Sequence, residues 1–209
     1  VNHITNKLYV TKSASNSIAV IDTINHKSIS TIPVGSNPRR VAVNPNTNRI
    51  YVVNYYSNSV SVIDGSIDAV INSIEVGVNP NGVRVNPETN KVYVSNFFSN
   101  TVSVITGSND EVEATIPVGR NPRRMAINLA TNKIYVANSA SDSISVIDGS
   151  TNKVEATIPV GSTPFAVAVN PSTDRIYVAN YFSNTVSVIE GSTNTLVATI
   201  RVGTNARDI

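Results

Sequence analysis

Hydrophobic and polar positions alternate along the chain in short segments that polar turn residues separate. In residues 112–118, for example, apolar residues alternate with polar residues or proline. Alternation with a period of two predicts β-strands with one buried face, and the clusters of Asn, Ser, Gly and Pro between them predict tight turns. The chain has no helical period of 3.6 residues, so the pattern indicates an all-β protein.

The same pattern returns every 42 residues. Each repeat has a tyrosine between aliphatic residues, then a second strand pattern, and a Val-Gly pair near its end. The tyrosines are Tyr9, Tyr51, Tyr93, Tyr135 and Tyr177. Internal periods of this length are typical of solenoids, propellers and repeat arrays.

Each repeat predicts four strands, which we call A to D. In the second repeat, strand A is residues 40–44, strand B 49–54 and strand C 59–64, and strand D is clearest in residues 112–118 of the third. Four antiparallel strands in a repeat of this length form a propeller blade. We therefore predict an all-β, five-bladed β-propeller with four antiparallel strands per blade and a 42-residue repeat.

Strand D is predicted to form the outer edge of each blade. Proline or a charged residue recurs near its end, at Pro33, Glu75, Pro117, Pro159 and Arg201. Proline and charge on an edge strand prevent pairing with further strands, so this position protects the blade from aggregation.

The two chain ends match consecutive parts of the repeat. Residues 205–209 correspond to residues 37–41, and Val1-Asn2 corresponds to Val43-Asn44. We therefore predict a single propeller domain over residues 1–209, in which the termini together complete one inner strand. The alternative is that the chain is a segment of a longer array of the same repeats.

Composition narrows the class of protein. The formal net charge of +2 comes from 16 basic and 14 acidic residues, and no Lys/Arg block is present. We expect no nucleic-acid partner. No apolar run reaches transmembrane length, so we expect no membrane insertion. Cysteine is absent, which excludes disulfides, thiolate metal sites and cysteine nucleophiles. No particular oligomeric state is predicted.

Residues with catalytic potential are few and isolated. His3 and His26 fall in turns, and the carboxylates that recur before the C–D turn, such as Asp64 and Asp148, are expected to cap it. The asparagines that end strand B, such as Asn138, are expected to stabilise turns. We find no carboxylate pair, phosphate loop or nucleophile elbow. The sequence therefore predicts no catalytic residue, no metal and no cofactor.

Two sets of loop positions vary between repeats. The first set, in the D–A loop and at the start of strand A, is Arg39, Arg40, Asn81, Arg123, Arg124, Phe165 and Arg207, with Asp208 as its one acid. The second set, in the B–C loop, is Tyr55, Tyr56, Phe97, Phe98, Tyr181 and Phe182. Both loops leave the same end of a four-stranded blade, so we predict a ligand-binding surface there. Arginine recognises carboxylate, sulfate or phosphate, and aromatic rings stack on sugars or protein partners. The alternative is that the rings pack between blades.

The repeat resembles a known family. Residues 133–138, Lys-Ile-Tyr-Val-Ala-Asn, with Ile-Ser-Val-Ile-Asp at 144–148 and Thr-Ile-Pro-Val-Gly at 157–161, are similar to the YVTN-family propeller repeat, and all five repeats share the likeness. The resemblance implies a cell-surface or extracellular location, as in archaeal surface layers. The best-known surface-layer propellers of this kind have seven blades, from which five repeats depart. Related propellers include lactonases and lyases.

The leading hypothesis from the sequence is a non-catalytic surface or secreted propeller. It acts as a structural scaffold or binds an anionic polysaccharide or a cell-surface protein, since the near-identity of the repeats fits a scaffold. One alternative is a propeller-type enzyme, a lactonase or lyase, with its site at the central channel. Another is a designed or recently amplified repeat protein without a ligand.

Overall fold

The computed structural model describes all 209 residues, and nearly all of the regular structure is β-strand. The one helical element is a single 3-10 turn, Ser13–Ser15. The strands are β1 (Lys7–Lys12), β2 (Ser17–Asp22), β3 (Lys27–Pro33), β4 (Pro38–Asn44), β5 (Arg49–Asn54), β6 (Ser59–Asp64), β7 (Ala69–Glu75), β8 (Pro80–Asn86), β9 (Lys91–Asn96), β10 (Thr101–Thr106), β11 (Glu111–Pro117), β12 (Pro122–Asn128), β13 (Lys133–Asn138), β14 (Ser143–Asp148), β15 (Lys153–Pro159), β16 (Pro164–Asn170), β17 (Arg175–Asn180), β18 (Thr185–Glu190) and β19 (Thr195–Arg201).

The 19 strands form five sheets in which neighbours along the chain are neighbours in the sheet. Strands β1 to β3 form a three-stranded sheet, and β4–β7, β8–β11, β12–β15 and β16–β19 form four-stranded sheets. The prediction of an all-β, five-bladed propeller is confirmed. The first sheet has one strand fewer than predicted, and its completion by the two termini stays a prediction, as does the single domain over residues 1–209.

The strand bounds agree closely with the sequence pattern. Strands B and C of the second repeat are β5 and β6 with the predicted bounds, whereas strand A begins two residues early, at Pro38. Tyr51 lies opposite Ala42 of β4 and Val62 of β6. The C–D pairing contains a register shift between Val62 and Ile63. A bulge of this kind increases the local twist of the strand.

The chain divides into two compact units, each with its own buried core. The first unit is residues 1–94 and 103–113, and the second unit is residues 95–102 and 114–209. In the first unit, Tyr51 packs with Val60 and Val92, and Tyr9 packs with Ile18 and Ile50. In the second unit, a buried cluster includes Tyr135, Ile144, Val146, Ile176 and Ile189. Residues of the third sheet, β8–β11, belong to both units.

Most left-handed residues of the turns are Asn or Asp, the exceptions are His26 and Thr163, and none is Gly. Asn48, Asn58 and Asp68 have φ angles of 52°, 52° and 50°, and no glycine has a positive φ. Asn and Asp tolerate this conformation because their short polar side chains hydrogen-bond to the local backbone. Repeated tight turns of the same type keep every blade in the same register.

The recurring carboxylates cap the C–D turns, as the sequence predicted. Asp64 Oδ1 accepts a hydrogen bond from the Ser66 backbone N–H at 2.8 Å, and Asp148 Oδ1 accepts one from Ser150 N–H at 2.8 Å. These backbone hydrogen bonds favour the charged carboxylate, and they lower the pKa of both Asp64 and Asp148 below the ordinary value of 3.8.

The glycine of the Val-Gly pair is required because a buried asparagine occupies the space that a side chain would need. A Cβ atom on Gly119 would lie 2.6 Å from Cγ and Nδ2 of Asn138. Asn138 is fully buried and donates from Nδ2 to the Oγ atoms of Ser143 at 3.3 Å and Ser145 at 2.9 Å. The bond to Ser143 joins the two strand ends on either side of the turn at residues 139–142, in line with the prediction that this asparagine stabilises a turn. The bond to Ser145 also cross-links β13 and β14 inside the sheet.

We expect Gly119→Ala to lower the free energy of unfolding by about 1–3 kcal/mol, because the new methyl group overpacks the Asn138 side chain. Urea denaturation measures this change. In an Asn138→Ala background the added cost of Gly119→Ala should shrink, because the contacts with Cγ and Nδ2 are removed and only the contact with the Cβ of residue 138, at 2.8 Å, remains. Gly203 is the matched control: it occupies the same repeat position, and nothing lies within 4 Å of a Cβ built on it. Equal effects of the two glycine substitutions would contradict the packing argument.

Candidate functional site

Three arginines of the second unit surround one aromatic ring. The guanidinium carbons of Arg123, Arg124 and Arg207 lie 4.7, 5.9 and 5.7 Å from the centre of the Phe165 ring. The negative face of an aromatic ring attracts cations at this distance. Because like charges repel, three guanidinium groups around one ring create a strongly positive region that favours an anion. We call Phe97, Arg123, Arg124, Phe165, Tyr181, Arg207 and Asp208 the arginine–aromatic cluster.

Two of these arginines contact a second ring and a hydroxyl group. The Arg123 guanidinium lies 4.8 Å from the Phe97 ring, and its Nε donates to Ser139 Oγ at 3.0 Å. The Arg207 guanidinium lies 4.8 Å from the Tyr181 ring and donates to the Tyr181 hydroxyl at 3.2 Å. Each contact restrains a long side chain, so the guanidinium groups are held in place for a ligand.

The cluster contains one carboxylate, Asp208, which forms an ion pair with Arg124. The Arg124 side chain is 20% exposed, whereas that of Asp208 is 70% exposed. The guanidinium therefore anchors a carboxylate that stays open to water. Such a carboxylate can accept a proton from a bound water molecule.

Recurrent backbone contacts position the cluster. The Asn121 N–H donates to Asn100 Oδ1 at 2.9 Å, and Asn121 Nδ2 donates to the Phe97 carbonyl at 3.1 Å, which fixes the start of β12 beside the Phe97 loop. The Asn205 N–H makes the matching bond to Asn184 Oδ1 at 2.8 Å. Asn121 and Asn205 both have positive φ. The same turn therefore presents Arg123 and Arg207 to the rings.

A second group of arginines lies in the first unit. The Arg39 guanidinium sits 3.5 Å from the Tyr55 ring centre. Arg39, Arg40 and Arg84 line a cavity of about 300 Å³ together with Tyr9 and Thr11. Burial raises the pKa of Tyr9 to about 12, so this phenol stays protonated at neutral pH.

The paired aromatics of the B–C loops divide their roles. The first ring of each pair, Tyr55, Phe97 or Tyr181, is buried or half-buried against an arginine. The second ring is exposed, with exposed fractions of 65% for Tyr56, 59% for Phe98 and 67% for Phe182. The sequence left open whether these rings pack or are free to bind a ligand. The first ring of each pair packs, and the second ring is exposed. Asn81 is 5% exposed and lies in β8, away from solvent.

A larger cavity, of about 500 Å³, lies in the second unit between the ends of β11 and β15 and the start of β14. Two of its polar side chains already have partners. Ser141 Oγ accepts from the Arg120 N–H at 2.6 Å, and Asp142 Oδ1 accepts from the Thr163 N–H at 2.8 Å. These hydrogen bonds hold the loops around the cavity in place.

The structure brings together most of the residues that the sequence singled out. Arg123, Arg124, Arg207, Phe97, Phe165 and Tyr181 form one cluster in the second unit, and Arg39 and Tyr55 form a contact in the first. Sequence reasoning missed Ser139, which binds Arg123, and Thr11, which lines the first-unit cavity. Ser139 breaks the repeat, because three other repeats have an aromatic residue at the equivalent loop position, and this difference was the signal that could have identified it.

The described residues contain no group of three or more His, Cys, Asp or Glu side chains placed to hold a metal ion. None of the chain's helical structure is long and apolar enough to cross a membrane.

Comparison with protein families finds one that matches most of the chain. The model of the family described as "Lactonase, 7-bladed beta-propeller" matches residues 22–158, which is more than half of the 209 residues. No curated protein matches significantly.

Similar solved structures share the fold. Hydrazine synthase from Kuenenia stuttgartiensis matches with a TM-score of 0.71 and 17% identity over 97% of this chain and 85% of its own. A functionally unknown protein from Desulfotomaculum acetoxidans DSM 771 has a TM-score of 0.85 and 15% identity over 96% and 67%. The dihydro-heme d1 dehydrogenase NirN, in complex with DHE, has a TM-score of 0.80 and 15% identity over 95% and 44%.

The expectation of a non-catalytic protein is wrong. The matched family carries the name of an enzyme activity, and two of the similar structures are named as enzymes. The absence of a catalytic carboxylate pair in the sequence misled that inference. The resemblance to YVTN repeats and the extracellular location are not tested by these comparisons and stay predictions.

Proposed function

Because the chain belongs to the lactonase, seven-bladed β-propeller family, we propose that it hydrolyses a lactone that carries a negatively charged group. The observation that carries this proposal is the arginine–aromatic cluster, in which three guanidinium groups surround Phe165 and one of them, that of Arg124, pairs with the water-exposed Asp208 carboxylate. The family match includes Arg123 and Arg124 but ends before Phe165, so the assignment of roles rests on the geometry of the cluster.

The cluster offers separate places for the two parts of such a substrate. Arg207 is exposed and binds the carboxylate or phosphate of the substrate through its planar fork. The Phe165 ring is half-buried and supplies an apolar face for the lactone ring. Arg123, held by Phe97 and Ser139, is left to face the reacting carbonyl group.

Lactone hydrolysis needs only water as a second reactant. The Asp208 carboxylate takes a proton from a water molecule whose oxygen bonds to the lactone carbonyl carbon. The charge that develops on the carbonyl oxygen is stabilised by the Arg123 guanidinium. The ring C–O bond then breaks, and the leaving oxygen receives the proton from Asp208, which yields an open-chain hydroxy acid. Arg124 acts as a positioning residue, because it orients Asp208.

The test is a lactone panel measured by acid release in a pH-stat. Sugar lactones with a phosphate or carboxylate group should be hydrolysed faster than neutral lactones of the same ring size. We expect Arg207→Ala to raise KM for the acidic lactones by about 10- to 100-fold, since it removes a charge-assisted contact, and to leave neutral lactones unaffected.

Arg201→Ala is the matched control, because Arg201 is an exposed arginine of β19 that takes no part in the cluster. It should leave both substrate classes unchanged. Hydrolysis that does not exceed the spontaneous rate on any lactone would overturn the proposal. Equal rates on acidic and neutral lactones would overturn the role of the arginines.

A further inference from the structure

One arrangement of three side chains occurs three times in the chain. An arginine guanidinium lies on an inner aromatic ring, and this ring stands edge-on to an outer ring that is exposed. We call each arrangement an Arg–ring–ring module. The modules are Arg39–Tyr55–Tyr56 in the first unit, and Arg123–Phe97–Phe98 and Arg207–Tyr181–Phe182 in the second unit.

The geometry of the three modules is nearly the same. The guanidinium carbon lies 3.5, 4.8 and 4.8 Å from the inner ring centre. The inner and outer ring centres are 5.2, 5.0 and 4.9 Å apart, with interplanar angles of 68°, 74° and 62°. Edge-to-face contact is a favourable arrangement for two rings, so each outer ring has a defined orientation.

The repeat alone does not account for this regularity. Arg39 contacts a ring from the loop of its own repeat, 16 residues later in the chain. Arg123 and Arg207 contact rings from the preceding repeat, 26 residues earlier. In the fourth repeat the loop has Ser139-Ala140 instead of two rings. Arg123 donates to Ser139 of this loop and lies on the Phe97 ring of the preceding repeat. Two different connections therefore produce the same module.

The outer rings are far more exposed than packing requires. The inner rings already fill the space against the arginines, whereas Tyr56, Phe98 and Phe182 each leave most of their surface in water. An exposed ring beside a fixed cation presents an apolar face and a positive charge together. An acidic sugar matches both features. The C–H groups on one face of its ring match the aromatic ring, and the carboxylate or sulfate at its edge matches the guanidinium group.

We propose that the three modules bind an acidic polysaccharide, each module holding one acidic sugar. The outer ring stacks on the face of the sugar ring, and the guanidinium group binds the acid group. In the second unit, the two modules meet at Phe165, because Arg123 and Arg207 lie 4.7 and 5.7 Å from the centre of that ring. One polysaccharide chain therefore engages both modules, and the second contact forms at a high effective concentration.

This binding function goes beyond lactone hydrolysis and does not require it. Arg123 and Arg207 take part in both proposals, so a polysaccharide bound at the second-unit modules would compete with an acidic lactone. The binding function concerns non-covalent attachment to a polymer, and the outer rings take no part in the proposed hydrolysis. The two functions are measured separately, since no lactone is present in a binding experiment.

The experiment is isothermal titration calorimetry of the full chain with polygalacturonate, dextran and polyglutamate. We expect binding to polygalacturonate that weakens as salt increases, no binding to dextran, and weaker binding to polyglutamate, which has the charge but no sugar ring. Phe98→Ala and Phe182→Ala should each reduce the affinity for polygalacturonate by about 2- to 10-fold. The double variant should reduce it by more than either.

Leu129→Ala is the control, because Leu129 is an exposed apolar side chain outside the modules. It should leave the affinity unchanged, and thermal melting checks that each variant is folded. Polyglutamate binding as tight as polygalacturonate binding would overturn the proposal in favour of charge attraction alone. Unchanged affinity in the Phe98 and Phe182 variants, or no binding to polygalacturonate, would also overturn it.

Discussion

Asp208→Asn is expected to lower kcat for acidic lactones by about 10²- to 10⁴-fold, the usual contribution of a general base. The asparagine still accepts a hydrogen bond from Arg124, so the side chain keeps its place, but it no longer accepts a proton from water. KM should change little, because the arginines that bind the acid group of the substrate remain. Initial rates in the pH-stat, measured over a range of substrate concentrations, separate kcat from KM.

Asp148→Asn is the matched control for this change of charge. Asp148 caps the turn between β14 and β15 and lies outside the arginine–aromatic cluster, and asparagine supports the same kind of turn. It should retain the parent kcat. If Asp208→Asn also retained it, Asp208 would not be the base, and the proposed mechanism would fail.

Tyr135→Ala is expected to lower the free energy of unfolding by about 3–5 kcal/mol, the usual cost of truncating a buried aromatic side chain. Tyr135 is fully buried and lies in the core of the second unit with Ile144 and Ile176. Its removal leaves a cavity that the surrounding strands cannot fill, since they are held in register by both neighbours of β13. Urea denaturation gives the change.

Tyr135→Phe separates the ring from its hydroxyl. The Tyr135 hydroxyl is buried and has no hydrogen-bond partner, and burial raises the pKa of this phenol well above its ordinary value of 10.0. We therefore expect the phenylalanine variant to equal the parent or exceed it by about 1 kcal/mol. A large loss in this variant would show that the hydroxyl is stabilising and that the recurring tyrosine is kept for a polar contact.

The positions of the strands could be predicted from the sequence, because each blade repeats the same alternation and the same turn residues. Alternation in residues 49–54 and 59–64, with turn residues between them, specified β5 and β6 to the residue. The packing of side chains between strands could not be predicted from the sequence. Asn is a residue typical of turns, yet Asn138 is buried, because its Nδ2 donates to Ser143 and Ser145 on the adjacent strand and Gly119 leaves room for its side chain.

The sequence predicted which residues form the candidate site, but it did not predict the chemistry of that site. Variable loop positions identified Arg123, Phe165 and Arg207, since they break the repeat. The pairing of Asp208 with Arg124 joins residues 84 positions apart, and no local pattern reveals it. Without that pair the cluster is purely cationic and indicates binding. With it the cluster also holds a carboxylate that is a candidate general base.

The ion pair between Arg124 and Asp208 also makes the cluster depend on a contact between distant parts of the chain. Its two partners are 84 positions apart, and the Asn205 N–H bond to Asn184 Oδ1 at 2.8 Å holds the segment that carries Asp208. Bringing such distant residues together costs conformational entropy, so the place of the carboxylate depends on the docking of residues 205–209. Local opening of this segment would therefore remove the carboxylate from the cluster while leaving Phe97, Arg123 and Phe165 in place.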